Sequence, residues 1–197
     1  MKQVLIVIDM QNDFITGSLG TPEAQAIVPK VITKIKSKPW DSIIFTRDTH
    51  YNEKDFYSYE DTLEGEKLPV KHCILGERGW QLNENVLAAA KNGTPIKYID
   101  KPTFGSRRLL YYIRDAIADM TTYFNLQDCD DKVCDIDVEV EICGLCTDIC
   151  VISNALLLRA AFPNMKITCD SSCCAGVTPE KHLAALEVMR SCQIDVI

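Results

Sequence analysis

The chain has 197 residues, 47% hydrophobic and 25% charged, which excludes fibrous, disordered and disulfide-stapled mini-protein architectures. A chain of this length buries roughly 70% of its unfolded surface, enough for a sizeable core. The formal charge is −7, from 28 acidic and 21 basic residues, and no run of Lys and Arg exceeds two, so neither nucleic acid nor an anionic membrane is an expected partner.

The chain opens on a short apolar run, Val4–Ile8, that Asp9 interrupts. That is too short for a signal core or a membrane span, so the expected location is cytoplasmic. In a reducing compartment the ten cysteines are expected as thiols, most of them buried as small hydrophobes. Val4–Ile8, Ser42–Thr46, Pro95–Ile99, Val138–Cys143, Met165–Cys169 and Ile194–Ile197 are continuous, β-branched and short, as expected of strands buried on both faces. Between them, helical spacing marks Ala26–Ser37, Trp80–Lys91, Ile149–Ala161 and Pro179–Ser191; Thr178 followed by Pro179 is a helix-start signal. Strands alternating with helices predict a three-layer α/β/α sandwich on a mostly parallel, doubly wound sheet of about six strands. Residues 1–197 are read as a single domain. Its least regular part is an acidic insertion around 116–137, where Asp128, Asp130, Asp131, Asp135 and Asp137 surround Cys129 and Cys134. A solvated loop is expected there rather than a cation site.

In such a sheet ligands bind beyond the carboxyl ends of the strands. Those ends are polar here: Asp9 with Gln11-Asn12-Asp13-Phe14, Arg47-Asp48-Thr49-His50, Asp100-Lys101, and Gly144-Leu145-Cys146-Thr147-Asp148-Ile149-Cys150. Cys150 is the candidate nucleophile, because a helix capped by Thr147 or Asp148 would place it in the first turn, where the dipole and free N–H groups favour a thiolate and an oxyanion. Lys101 would lower the thiol pKa further, and Asp9 would carry protons to and from the leaving group. Asp48, His50 and His72, with Glu64 between them, offer donors suited to zinc, iron or manganese. His182, inside the last helix, is expected to be a packing or surface residue.

Together these motifs resemble the isochorismatase-like cysteine hydrolases, and among them the nicotinamidase branch. The likeness is carried by Val7-Ile8-Asp9-Met10-Gln11-Asn12-Asp13-Phe14, by Pro69-Val70-Lys71-His72-Cys73, by Lys101-Pro102-Thr103-Phe104, by Gly144 to Val151, and by Thr178-Pro179-Glu180-Lys181-His182. It implies an Asp9, Lys101, Cys150 triad that hydrolyses a small amide through a thioester. It further implies an oxyanion held by the backbone N–H groups of Cys146 and Cys150, and a cis peptide at Leu145–Cys146. The substrate would lie against Phe14, Leu145 and Cys146. The resemblance also implies a divalent metal, zinc first and iron or manganese as alternatives, on Asp48, His50, His72 and a fourth ligand, for which Glu64 is chosen over Glu60 and Glu66. A homo-oligomer is expected.

Pro69 departs from this pattern, standing where many nicotinamidases carry a tryptophan against the substrate ring. The rival readings are hydrolysis of another small amide, ureide or carbamoyl compound, a non-catalytic binding protein of the same fold, and thiol redox chemistry at Cys143-Gly144-Leu145-Cys146. The last is disfavoured because the helix is expected only after Cys146. Isochorismate hydrolysis is disfavoured because that branch lacks the nucleophilic cysteine.

Overall fold

The computed structural model describes residues 1–52, 59–91, 93–117 and 137–197. In chain order the elements are β1 (Lys2–Ile8), α1 (Asn12–Ile15), α2 (Pro22–Lys36), β2 (Ser42–Asp48), α3 (Leu63–Lys67), α4 (Glu84–Ala89), β3 (Ile96–Lys101) and α5 (Arg108–Ile117). Then follow β4 (Val138–Leu145), a wide turn over Thr147–Val151, α6 (Ile152–Ala161), β5 (Lys166–Ala175), α7 (Pro179–Ser191) and β6 (Asp195–Val196).

The six strands form one parallel sheet in the order β3-β2-β1-β4-β5-β6, flanked by helices, as the alternation of apolar runs and helical spacing predicts. In β1, Val4 to Ile8 are all buried, as both faces of a central parallel strand require. The chain leaves β1 towards β2 and β3 on one side and resumes at β4 on the other, so the order reverses between β1 and β4. A crevice opens at such a point beyond the strand ends. Asp9 follows β1 and the Cys146–Cys150 turn follows β4, so both lie at its mouth.

Several expectations need correction. β5 runs on to Ala175, with its register shifted between Ile142 and Gly144 of β4, so Cys173 and Cys174 lie in a strand rather than after it. α2 begins at Pro22 under a Thr21 cap, four residues before the apolar spacing starts at Ala26. α4 covers only Glu84–Ala89, because the Asn83 side chain accepts from the N–H groups of Asn85 and Val86 and starts the helix there. α5 was not expected at all, although Leu109 and Ile113 lie one helical turn apart and both are buried. The acidic segment 118–136 lies outside the described residues. Among the described residues no helix is long and apolar enough to cross a membrane.

Candidate active site

Three strand ends bring Asp9, Lys101 and Cys150 together, each essentially without exposed side-chain surface. Lys101 Nζ lies 2.6 Å from Asp9 Oδ2 and donates to Cys150 Sγ at 3.5 Å; Asp48 Oδ1 is 3.7 Å away. The Thr46 hydroxyl donates to Asp9 Oδ1 at 2.6 Å and accepts from the Asp9 N–H, which fixes the carboxylate from the neighbouring strand. Asp9 has φ +45°, a left-handed conformation uncommon for a side-chain-bearing residue, held here at the reversal point of the sheet.

Burial raises the Asp9 carboxyl above its ordinary value, and the Lys101 charge opposes this without cancelling it. The Lys101 amine is also raised, because Asp9, Cys150 and Asp48 together outweigh the cost of burying its charge. Burial pushes the Cys150 thiol well up, and Lys101 pulls it back.

The expected helix cap is not formed. Cys146 occupies the cap position without a side-chain hydrogen bond, and the Val151 N–H reaches back to the Cys146 carbonyl, which makes the turn wide. Thr147 Oγ1 instead lies 2.8 Å from His182 Nδ1, and the Asp148 carboxylate accepts from the Val177 N–H. Of the two expectations for His182, packing or surface, the structure shows packing: it is half-buried against the Cys146–Cys150 turn. The Leu145–Cys146 peptide is cis, as the resemblance implies. Leu145 is buried at the end of β4, Cys146 is half-buried beside it, and the burial-raised Cys146 thiol has a pKa of about 12. Cys143 lies inside β4 and is fully buried, which is unsuited to a redox pair opening a helix.

The second cluster is Asp48, His50, Glu64 and His72, with one donor atom from each lying within 4.8 Å of the others. His50 Nε2 is 2.9 Å and His72 Nε2 3.3 Å from Asp48 Oδ2; Glu64 Oε1 is 3.7 and 3.5 Å from the same two nitrogens. His72 Nδ1 donates to the Val70 carbonyl at 2.8 Å, so in the neutral ring its Nε2 is a bare lone pair aimed at carboxylate oxygens. Lone pairs meeting lone pairs require a cation between them. A proton can serve, and hydrogen bonds to Asp48 and Glu64 raise the His72 pKa to about 10 against its burial. A divalent metal fits better, since two imidazoles and two carboxylates are a zinc-, iron- or manganese-type donor set. Burial works to raise the Asp48 carboxyl, yet His50, His72 and Lys101 hold it well below the carboxylate range.

Of the three glutamates considered, Glu64 is the one that lies with Asp48, His50 and His72; Glu60 pairs with Lys71 at 2.9 Å, and Glu66 approaches Lys67 at 3.4 Å. Thr62 caps α3 through the Gly65 N–H and so presents Glu64 from the first turn. Gln11 holds Asp48 from both sides, accepting from its N–H at 2.7 Å and donating to its carbonyl at 2.8 Å. Asp13 accepts from the Cys73 N–H at 2.7 Å and so ties down the loop bearing His72. Phe14 lies with its ring 5.5 Å from that of His72. On the other side Tyr59, buried and hydrogen-bonded to the Leu68 carbonyl, stands edge-on to His50 at 4.7 Å and to His72 at 5.2 Å. Pro69 lines a cavity of about 470 Å³ with Tyr59, Glu60, Gly65, Glu66 and Lys71.

Sequence reasoning missed Thr46, Tyr59 and Asn154. Tyr59 carries no spacing signal. The signal for Asn154 is compositional only, an amide in a mostly apolar helix that also carries Ser153 and Arg159.

The Isochorismatase domain model matches residues 3–197. The nicotinamidase of Saccharomyces cerevisiae is 29% identical over 182 residues, covering 78% of this chain and 80% of its own. That of Schizosaccharomyces pombe is 26% identical over 215 residues, covering 98% and 91%. The nicotinamidase/pyrazinamidase of Bacillus subtilis has the same fold, with a TM-score of 0.76 at 24% identity over 100% of this chain and 99% of its own. A pyrazinamidase of Pyrococcus horikoshii, solved in complex with zinc, is 25% identical with a TM-score of 0.68 over 100% and 99% of the two chains. With the family model spanning nearly all of its length and the strand-end clusters in the expected places, the chain belongs to the isochorismatase family.

Proposed function

We propose that the protein is a cysteine amidohydrolase that converts nicotinamide and water to nicotinate and ammonia. The observation that carries this reading is the buried contact of Cys150, Lys101 and Asp9 beside a four-residue metal cluster, in a chain whose curated relatives are nicotinamidases. Cys150 Sγ attacks the amide carbon as its proton passes to Asp9, whose burial-raised carboxyl is suited to accept and return it. Lys101, in contact with both groups, stabilises the thiolate as it forms. The backbone N–H groups of Cys146 and Cys150 receive the oxyanion. The C–N bond breaks as Asp9 protonates the nitrogen, ammonia leaves, and a thioester remains on Cys150. Water, deprotonated by Asp9, attacks the thioester; the acid leaves and the thiol recovers its proton.

Asp48, His50, Glu64 and His72 would hold a divalent metal, zinc in the first instance. When bound, it supplies a Lewis-acid contact for a heterocyclic ring nitrogen. Phe14, beside His72, forms one wall for that ring, and Leu145 and Cys146 lie at the reacting end. Pro69 favours a second reading, hydrolysis of a different small amide or ureide, because it offers no aromatic face.

Rapid acid quench during turnover, followed by peptide mass mapping, tests the covalent step. A nicotinoyl adduct confined to the peptide bearing Cys150 supports the mechanism. An adduct on another residue overturns the assignment of the nucleophile.

A further inference from the structure

Asn154 is fully buried in α6, one helical turn after Cys150, among Val151, Ala155 and Leu158. An amide is a poor choice there: it has lower helix propensity than Leu or Ala, and burial penalises each unpaired polar atom. Its side chain is nevertheless satisfied on both ends. Nδ2 donates to the Cys150 carbonyl at 2.8 Å and to the Phe104 carbonyl at 3.1 Å, while Oδ1 accepts from the Ser106 N–H at 2.9 Å. Two carbonyls fix the nitrogen end and one N–H fixes the oxygen end, so the flipped amide would lose all three bonds.

These three bonds join two elements that carry different parts of the reaction. One is the turn that presents Cys150. The other is the loop that leaves β3 directly after Lys101 and passes through Phe104 to Ser106. The two run close enough that a Cβ on Gly105 would touch the Ser153 backbone at 3.4 Å. The Lys101–Cys150 contact of 3.5 Å spans the same junction, and both residues are buried, which leaves little water to compensate a shift.

We infer that Asn154 is a positioning residue, which holds the nucleophile turn and the lysine-bearing loop in register so that Lys101 stays in contact with the Cys150 sulfur. It touches no reacting atom itself. The inference rests on Cys150 being the nucleophile proposed above.

The test uses Asn154→Leu, which keeps the volume and removes all three bonds, and Asn154→Asp, which keeps the acceptor and removes both donors. Each is assayed in the zinc-loaded protein for nicotinamide hydrolysis, and in parallel for iodoacetamide labelling of Cys150 across pH, read by peptide mass mapping. The expected result in folded variant is a kcat at least tenfold lower with KM within twofold of wild type, and a labelling profile displaced to higher pH. A lower melting temperature with unchanged kcat and an unchanged labelling profile would overturn the inference and leave Asn154 a purely structural residue. If the leucine variant does not fold, the aspartate variant is read by the same two criteria. Labelling needs no amide substrate, so a protein inert to nicotinamide that still shows the displaced profile refutes the proposed substrate and keeps the role of Asn154.

Discussion

A lysine with no exposed side-chain surface needs its charge answered at close range, and Lys101 is answered by Asp9, Cys150 and Asp48. The same geometry reverses the usual account of an activated thiol. Burial raises Cys150, the five-residue turn after Cys146 supplies no regular helix start, and the lysine is the group that lowers the thiol pKa. Replacing Lys101 by Met should therefore move the pH at which iodoacetamide labels Cys150 upwards and reduce turnover by about 100-fold or more. An unchanged labelling profile would show that the lysine does not act on the sulfur. At the metal cluster, His72→Ala removes one of four donors and should weaken zinc binding by about 10- to 100-fold, read as metal content after dialysis. Asp9, Lys101, Cys150, Asp48, His50 and His72 were legible in the sequence because each follows a strand or lies within a recognisable motif. Thr46, Tyr59 and Asn154 act through hydrogen bonds or ring contacts made across the fold, and no spacing along the chain encodes those.

All six strands were visible at the scale of elements as short β-branched stretches, unbroken from Val4 to Ile8 in the doubly covered β1 and interrupted by Glu139 and Glu141 in β4. Their ends were not, since β2, β3 and β4 each run two residues further, to Asp48, Lys101 and Leu145. α2 was read short because its apolar spacing starts only at Ala26, although Thr21 and Pro22 carry the same start signal as Thr178 and Pro179. α1 and α3, with four and five residues, are too short to show a period; α3 exists because Thr62 caps it, and it carries Glu64. At the junction of β4 and the nucleophile turn, Gly144 has φ +122°, and a Cβ there would overlap the Ile8 carbonyl oxygen of the neighbouring strand. Gly144→Ala should destabilise the protein by about 3 kcal/mol or more, measured by urea unfolding, because it combines a forbidden conformation with a backbone collision.

Across the whole molecule, α2 is pinned to the sheet by Lys34, which reaches Glu141 of β4 at 3.0 Å and Asp170 of β5 at 2.7 Å, with Lys38 also on Glu141. These side chains are mostly buried, and the pairing lowers both carboxyls while raising the lysine. Carboxyls held below their unfolded values give stability that is full above about pH 4.5 and is lost as acid protonates them in the folded state. The raised lysine gives stability that is full below about pH 10 and fades as pH climbs through its folded value. Lys34→Met should cost about 2 to 3 kcal/mol at neutral pH by leaving two carboxylates partly uncompensated, and should flatten the loss of stability between pH 6 and 3. Urea unfolding at the two pH values reads both effects; a variant with the slope of the wild type would place the acid sensitivity elsewhere. This bracing lies away from the switch-point crevice, so the scaffold and the chemistry can be perturbed separately.

The central claim is that the buried triad hydrolyses a ring amide. The direct measurement is ammonia release from nicotinamide by the zinc-loaded protein, run beside Cys150→Ala at equal folded concentration. Sustained release by the wild type, with none from the variant, is the predicted result. Equal release from both would contradict Cys150 as nucleophile, and no release from a wild type whose Cys150 still labels readily would contradict nicotinamide as the substrate.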